Sequence, residues 1–321
     1  MTREEFLLRS LRFVGRRIFK KEYRKEPKVA IPLDKSGEEA SAFIYETLSK
    51  DKPCMIARFG ATELSCIVNY LRLKKKNLKN LFYYMKGKNI CFKWEKIVGY
   101  DMFNLSGFFP PTDDNLEKFS RLMIECIPNV DILGSWRLDE IYVKDKMEHT
   151  QFIGLLDLEP YNHATPWTRV LKGKNVLVVH PFVETIKSQY LKRDKLFRNK
   201  EVLPEFNLET IQAVQSLGDN DCGYKNWFEA LEAMKFQITQ KEYDVAIIGC
   251  GAYGFPLASF VKDQGKKAVH LAGATQLLFG IKGGRWDKDY YSPSLYNEYW
   301  VRPSKKETPK NAEQVEDACY W

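Results

Sequence analysis

The chain reads as an α/β protein, a parallel sheet with helices on both faces, and three observations carry that expectation. Strand-like and helix-like segments alternate through residues 174–271. The strand-like runs, Val176 to Val179 above all, are continuous and β-branched, as strands buried on both faces are. A complete G-x-G-x-x-G, Gly249 to Gly254, follows the apolar run Val245–Ile248 directly, which puts a glycine turn where a buried strand hands over to a helix.

Taken in order, residues 1–25 carry nine Lys or Arg against three Glu, a local charge of +6. Phe6, Leu7, Leu11, Val14, Ile18 and Phe19 are interleaved at spacings of three to four, which predicts a basic amphipathic helix over residues 1–26. Such a helix lies on an anionic membrane surface or docks on its own domain with the basic face in water. It has no uninterrupted apolar core of the signal-peptide kind, and no stretch of the chain reaches the roughly 18 apolar residues of a spanning helix. A linker at residues 27–32 precedes a helix at 36–49, a strand at 54–59 and a further helix marked by Leu64, Ile67, Val68 and Leu71. The run Lys74, Lys75, Lys76 is expected in a solvated loop. A helix at 116–126, a strand at 130–133, a polar connection at 158–166 and a helix at 167–171 follow. The clearest strand is 174–181, with a helix from 183 to about 197, a strand at 208–214 and a helix at 227–240. After the glycine turn a helix stops at Gly265 and a strand occupies 267–271. This organises the chain as the basic helix, one α/β domain over 27–302 with a sub-boundary near 160–172, and an arm over 303–321. The arm is polar but closes on Cys319, Tyr320 and Trp321, an aromatic ending that predicts docking.

A net charge of +8 favours anionic partners, and no nucleic acid is expected among them. The seven cysteines form no C-x-x-C pair, and the four histidines are too scattered for a zinc site, which points to a reducing, cytoplasmic setting. Neither a G-x-x-x-x-G-K-[ST] loop nor a G-x-S-x-G elbow occurs, which argues against P-loop hydrolysis and serine esterase chemistry.

Three strand ends should meet at one edge of a parallel sheet. At the first, Arg58 supplies a cation, Gly60 a tight turn and Glu63 a carboxylate, which holds a metal, orients a sugar hydroxyl or caps the helix. At the second, His180, Glu184 and Thr185 surround a helix start, where His180 donates to a phosphate, acts as a base or is structural. At the third, Gly249, Gly251 and Gly254, with Tyr253 between them, let a backbone approach a phosphate or simply make a tight turn. Thr275, Gln276 and Arg285, in and near a second Gly-rich cluster, add donors and a cation. The glycine fingerprint invites a dinucleotide, yet residues 270–275 hold no acid to bind a ribose, so NAD is not expected.

The hexapeptide Arg58 to Glu63, paired with the late glycine turn and its Gly-Lys-Lys-Ala strand entry, resembles the GT-D fold glycosyltransferases. The resemblance spans roughly residues 50–290 in order of elements. It implies a Rossmann-like bacterial enzyme that moves a sugar from a nucleotide diphosphate donor to a glycan or lipid-linked acceptor in surface polysaccharide or glycoprotein assembly. The family motif reads Arg-Phe-Gly-Asp-Gly-Glu, and its Asp-x-Glu is associated with a divalent metal, Mn or Mg. Arg58, Gly60 and Glu63 match it, whereas Ala61 and Thr62 stand where the Asp and second Gly would be. Carried over, Arg58 and Gly60 belong to the donor-binding motif and Glu63 is the metal ligand; apart from the resemblance, the late glycines are expected to meet the donor diphosphate and His180 or Glu184 to act as the base. The resemblance and the basic helix together imply a cytoplasmic enzyme peripheral to the membrane. The rival expectations are a Rossmann-type oxidoreductase or methyltransferase, and a nucleotide-sugar-binding protein without catalysis.

Overall fold

Seven short strands, nearly all apolar, are buried by helices on both sides into one all-parallel sheet, as the sequence predicts. The computed structural model describes residues 3–19, 30–74, 78–86, 92–216, 222–288, 292–309, 312 and 319–321. The elements begin with α1 (Arg3–Ile18), α2 (Gly37–Ser49), β1 (Cys54–Ala57), α3 (Ala61–Lys74), α4 (Leu78–Met85), α5 (Lys96–Ser106) and α6 (Asp113–Cys126). Then come β2 (Ile132–Ser135), β3 (Gln151–Gly154), β4 (Asn175–His180), α7 (Val183–Tyr190), α8 (Arg193–Leu196) and β5 (Asn207–Gln212). The chain continues through α9 (Trp227–Thr239), β6 (Val245–Ile248), α10 (Gly254–Asp263), β7 (Lys267–His270), α11 (Ala274–Leu278), α12 (Gly284–Asp287) and α13 (Ser292–Leu295).

The spatial order is β3-β2-β1-β7-β6-β4-β5. Every residue of β1 and β6 is buried, whereas the edge strand β5 alternates, as one-sided burial requires. Alternation divides the core. Met55, Leu177, Val179, Ile248 and Ala268 pack under α3, α6, α9 and α10, while Ile56, Val176, Val178, Ile247 and Val269 pack under α2, α7 and Trp167. Thr112 and Asn226 cap α6 and α9 by accepting from the N–H groups of Asn115 and Glu229. Gly265, at φ 76°, ends α10 where a left-handed residue is needed.

Several elements differ from expectation. β3 is a four-residue Gln-Phe-Ile-Gly edge strand, too short to leave a periodic signal, and α4 and α5 lie where no helix is expected. The 183–197 helix breaks after Tyr190, leaving Leu191 exposed and seating Leu196 and Phe197 in the core. Residues 167–171 form a 3-10 turn that buries Trp167, whose indole donates to Leu158 O at 2.9 Å. Lys75, Lys76, Cys91, residues 20–29 of the basic segment and linker, and residues 310–311 and 313–318 of the arm lie outside the described residues.

α1 is a helix, and it packs on α4. Arg12 donates to Tyr84 O at 3.1 Å and lies over the Tyr84 ring, and a Cβ on Gly15 would fall 1.9 Å from Met85 O. Phe6, Leu7, Phe13, Val14 and Ile18 remain exposed on it. Among the described residues no helix is long and apolar enough to cross a membrane.

Candidate functional site

The C-terminal ends of β1, β7, β6 and β4 are neighbours in the sheet, and a cleft of about 540 Å³ opens above them. That is the size of a small-molecule pocket, at the edge where doubly wound sheets bind ligands.

After β1, the Arg58 guanidinium is pinned by two hydrogen bonds to Phe59 O, from Nε at 3.1 Å and Nη2 at 2.8 Å, and stacks on Trp136 at 4.8 Å. Trp136 is fixed in turn, its indole donating to the same carbonyl at 3.0 Å. Burial pushes the Arg58 pKa down; Glu63 opposes this, and the like charge of Arg285 adds to it. An arginine stays charged under such a shift, so two guanidiniums face one cleft. Glu63 folds back over Gly60, where a Cβ would sit 1.7 Å from its Oε2. Glycine is therefore required at 60 for this carboxyl position. Burial raises the Glu63 pKa, against its own backbone N–H and the Ser106 hydroxyl, which both stabilise the anion.

After β6, the three fingerprint glycines have different reasons. Gly249 packs so tightly on Ala272 O and Thr275 that a Cβ would come within 2.5 Å of both, and one on Gly254 would strike the His270 ring at 2.1 Å. Gly251 has φ +55°, a left-handed residue that opens a 3-10 turn, Gly251–Tyr253, into α10. Neither Cys250 before that turn nor Tyr253 before α10 caps it with its own side chain. Tyr253 is buried, stacked on Trp227 at 4.9 Å and hydrogen-bonded to Ser216 at 3.1 Å, so it shapes the wall from beneath.

The end of β4 departs from expectation. The carboxylate of Glu307, from the C-terminal arm, accepts from the backbone N–H groups of Glu184 at 2.7 Å and Thr185 at 3.3 Å, and from the hydroxyls of Thr185 and Ser304. The N-terminus of α7 thus holds the protein's own anion, and a phosphate has no vacancy there. Glu184 points to solvent, pairs with Lys187 at 2.9 Å and does not line the cleft, which removes it as a base. His180 does line the cleft. Its Nδ1 accepts from Phe182 N–H at 3.0 Å, so the neutral ring carries its proton on Nε2, and burial lowers its pKa to about 3. His180 is a hydrogen-bond donor here, and the base expected of it is corrected accordingly.

The sequence reading passed over His270, Ser106, Trp136 and Glu159 as cleft residues and Glu307 as a cap. His270, at the end of β7, contacts Ile248 O through Nδ1 at 3.2 Å, so Nδ1 is protonated and Nε2 holds the lone pair. Burial, with the charge of Arg58, lowers its pKa to about 3. Its strand-end position was the available signal. Thr275 is fully buried, behind Gly249 rather than on the cleft surface. Gln276 lines the cleft but spends its amide on the carbonyls of Lys282 and Tyr320, both at 3.2 Å, tethering the arm. Arg285, Trp286, Tyr320 and Trp321 complete the wall.

A resident divalent ion is a poor fit to these side chains. Ala61 offers no oxygen, the Glu63 carboxyl is buried against Gly60 with Ser106 as partner, and among the described residues no three His, Cys, Asp or Glu converge. Fold and site define a doubly wound α/β protein with a cleft at its strand ends that Arg58 and Arg285 line. No family model, no curated protein and no solved structure matches the chain.

Proposed function

We propose that the protein is a glycosyltransferase that moves a sugar from a nucleotide diphosphate donor to a glycan or lipid-linked acceptor. The observation that carries this reading is that Arg58 and Arg285 line one cleft together with the left-handed Gly251 turn. Breaking a glycosyl–phosphate bond leaves negative charge on the diphosphate. Fixed guanidiniums and backbone N–H groups stabilise that charge without reorganising. Arg58 is held for this role by Phe59 O and Trp136. His180 offers Nε2–H and His270 an Nε2 lone pair, a donor and an acceptor that suit the hydroxyls of a sugar. With its low pKa His270 accepts a hydrogen bond from an acceptor hydroxyl and serves as a weak base. The exposed apolar residues of α1, among basic ones, fit attachment to an anionic membrane where a lipid-linked acceptor would lie.

A screen for nucleotide-sugar hydrolysis, with and without EDTA, tests the reading. We expect turnover of a nucleoside diphosphate sugar that survives EDTA. Tight binding of NAD or S-adenosylmethionine, with no binding of nucleoside diphosphates, would overturn it. Removing residues 1–25 should abolish salt-sensitive sedimentation with anionic vesicles and spare soluble hydrolysis; continued pelleting would remove the membrane component.

A further inference from the structure

The aromatic end of the arm forms a rigid surface inside the cleft. The carbonyl of Cys319 accepts from Arg285 N–H at 2.9 Å, that of Tyr320 from Gln276, and that of Trp321 from Gly284 N–H at 3.3 Å and Arg302 at 3.2 Å. The Trp321 indole donates to Glu307 O at 3.1 Å, the residue whose carboxylate locks the arm to α7. Among the described residues the ring neighbours of Trp321 are Phe182, at 6.1 Å and 65°, and Tyr320, at 6.0 Å and 90°. Both meet it at steep angles, so among the described residues no aromatic ring stacks parallel on the indole.

We infer that Trp321, beside a Tyr320 ring that the Arg285 guanidinium covers at 4.9 Å, is the stacking wall for the planar base of a nucleoside diphosphate. The inference rests on the donor reading above and orients the donor within it. Phe182 follows β4 and Arg58 follows β1, three positions apart in the sheet, or about 14 Å at the usual strand spacing. A base against Trp321, a diphosphate between the Gly251 turn and Arg58, and a sugar beyond it towards Glu63 would run along that edge. His180, whose ring meets Phe182 at 4.9 Å, offers its Nε2–H near the base end, where nucleobase carbonyls and ribose oxygens are acceptors.

Calorimetric titration with UDP, ADP and inorganic pyrophosphate tests this. Base–aromatic stacking predicts that Trp321→Ala loses roughly 10- to 100-fold in affinity for UDP and ADP and keeps pyrophosphate affinity within about twofold. Trp321→Phe, which keeps an aromatic face, should hold UDP within about threefold yet lose the UDP-specific part of the tryptophan fluorescence quench seen in the wild type. Wild-type UDP affinity in the Ala variant, equal losses for UDP and pyrophosphate, or an unchanged quench in the Phe variant would each overturn the stacking wall and leave the diphosphate reading standing. A wild-type protein that binds neither pyrophosphate nor any nucleotide would overturn the donor reading itself, and the wall with it.

Discussion

At the end of β4 the N-terminus of α7 is filled by the Glu307 carboxylate, whereas at the end of β6 the Gly251 turn that leads into α10 lines the cleft. Both corners come from the same device, a buried parallel strand turning into a helix whose first N–H groups attract anions. Their difference lies in what the rest of the chain brings to them. Glu307 is 122 residues beyond Thr185 and supplies α7 with its anion, so that corner anchors the arm. At the β6 corner Cys250 and Tyr253 supply no such cap from their own side chains, and Arg58 and Arg285 line the same cleft as the Gly251 turn. The same strand-end geometry is closed at α7 by a carboxylate from far along the chain and at the Gly251 turn faces the cleft.

The comparison can be broken most decisively at Gly251. A valine there would have to hold φ +55° with its Cβ 3.3 Å from Ser106 O, against both backbone preference and space. We expect nucleoside diphosphate affinity to fall more than about 100-fold by calorimetry, with the fold retained by circular dichroism. Unchanged affinity would show that the open corner is only a turn. At the filled corner, Glu307→Gln removes the charge while keeping the shape. Urea denaturation should show a loss of about 2–3 kcal/mol, the worth of charge-assisted hydrogen bonds to a buried carboxylate. Wild-type stability would mean that the arm is held by other contacts.

A third test reads the two histidines on either side of β6. Both have folded-state pKa values near 3, below the roughly 6.5 of the unfolded chain, so on acidification the unfolded chain takes up protons first. Stability is therefore intact above about pH 6.5 and lost as pH falls toward 3. By pH 5 the loss should reach about 2 kcal/mol per ring in equilibrium denaturation. A His180→Gln variant should show about half of the wild-type slope from this pair; an unaltered slope would mean that His180 does not titrate as its burial requires. The smallest effect is expected from Arg58→Lys. A lysine cannot reproduce the two bonds to Phe59 O and the stacking on Trp136, so diphosphate affinity should drop about tenfold rather than vanish. A full wild-type response would show that Arg58 contributes charge alone.

Much of the fold was legible because its signals are local. Val176 to Val179 and Val245–Ile248 read as buried strands, and they lie side by side in the sheet. β3 was hidden because its apolar run is only Phe152 and Ile153, too short to read as a strand, and α4 and α5 because their patterns are short or interrupted by polar residues. In the site, Arg58, Gly60, Glu63, His180, Gly249, Gly251, Tyr253 and Gln276 all line one cleft, whereas Gly254, Glu184 and Thr275 do not. A residue type at a strand end predicts nearness to the edge; whether its side chain reaches the cavity depends on what packs around it.

Periodicity, β-branched runs and turn glycines, acting within a few residues of one another, were enough to determine the parallel α/β architecture and the strand ends where a ligand would sit. Only the tertiary structure decided that Glu307 fills one helix N-terminus, that Phe182 N–H and Ile248 O give His180 and His270 opposite tautomers, and that Trp321 joins the cleft wall. The physical reason is that hydrogen-bond partners and burial set those roles, and the partners of Glu307 and Trp321 lie far along the chain, beyond the reach of any local pattern.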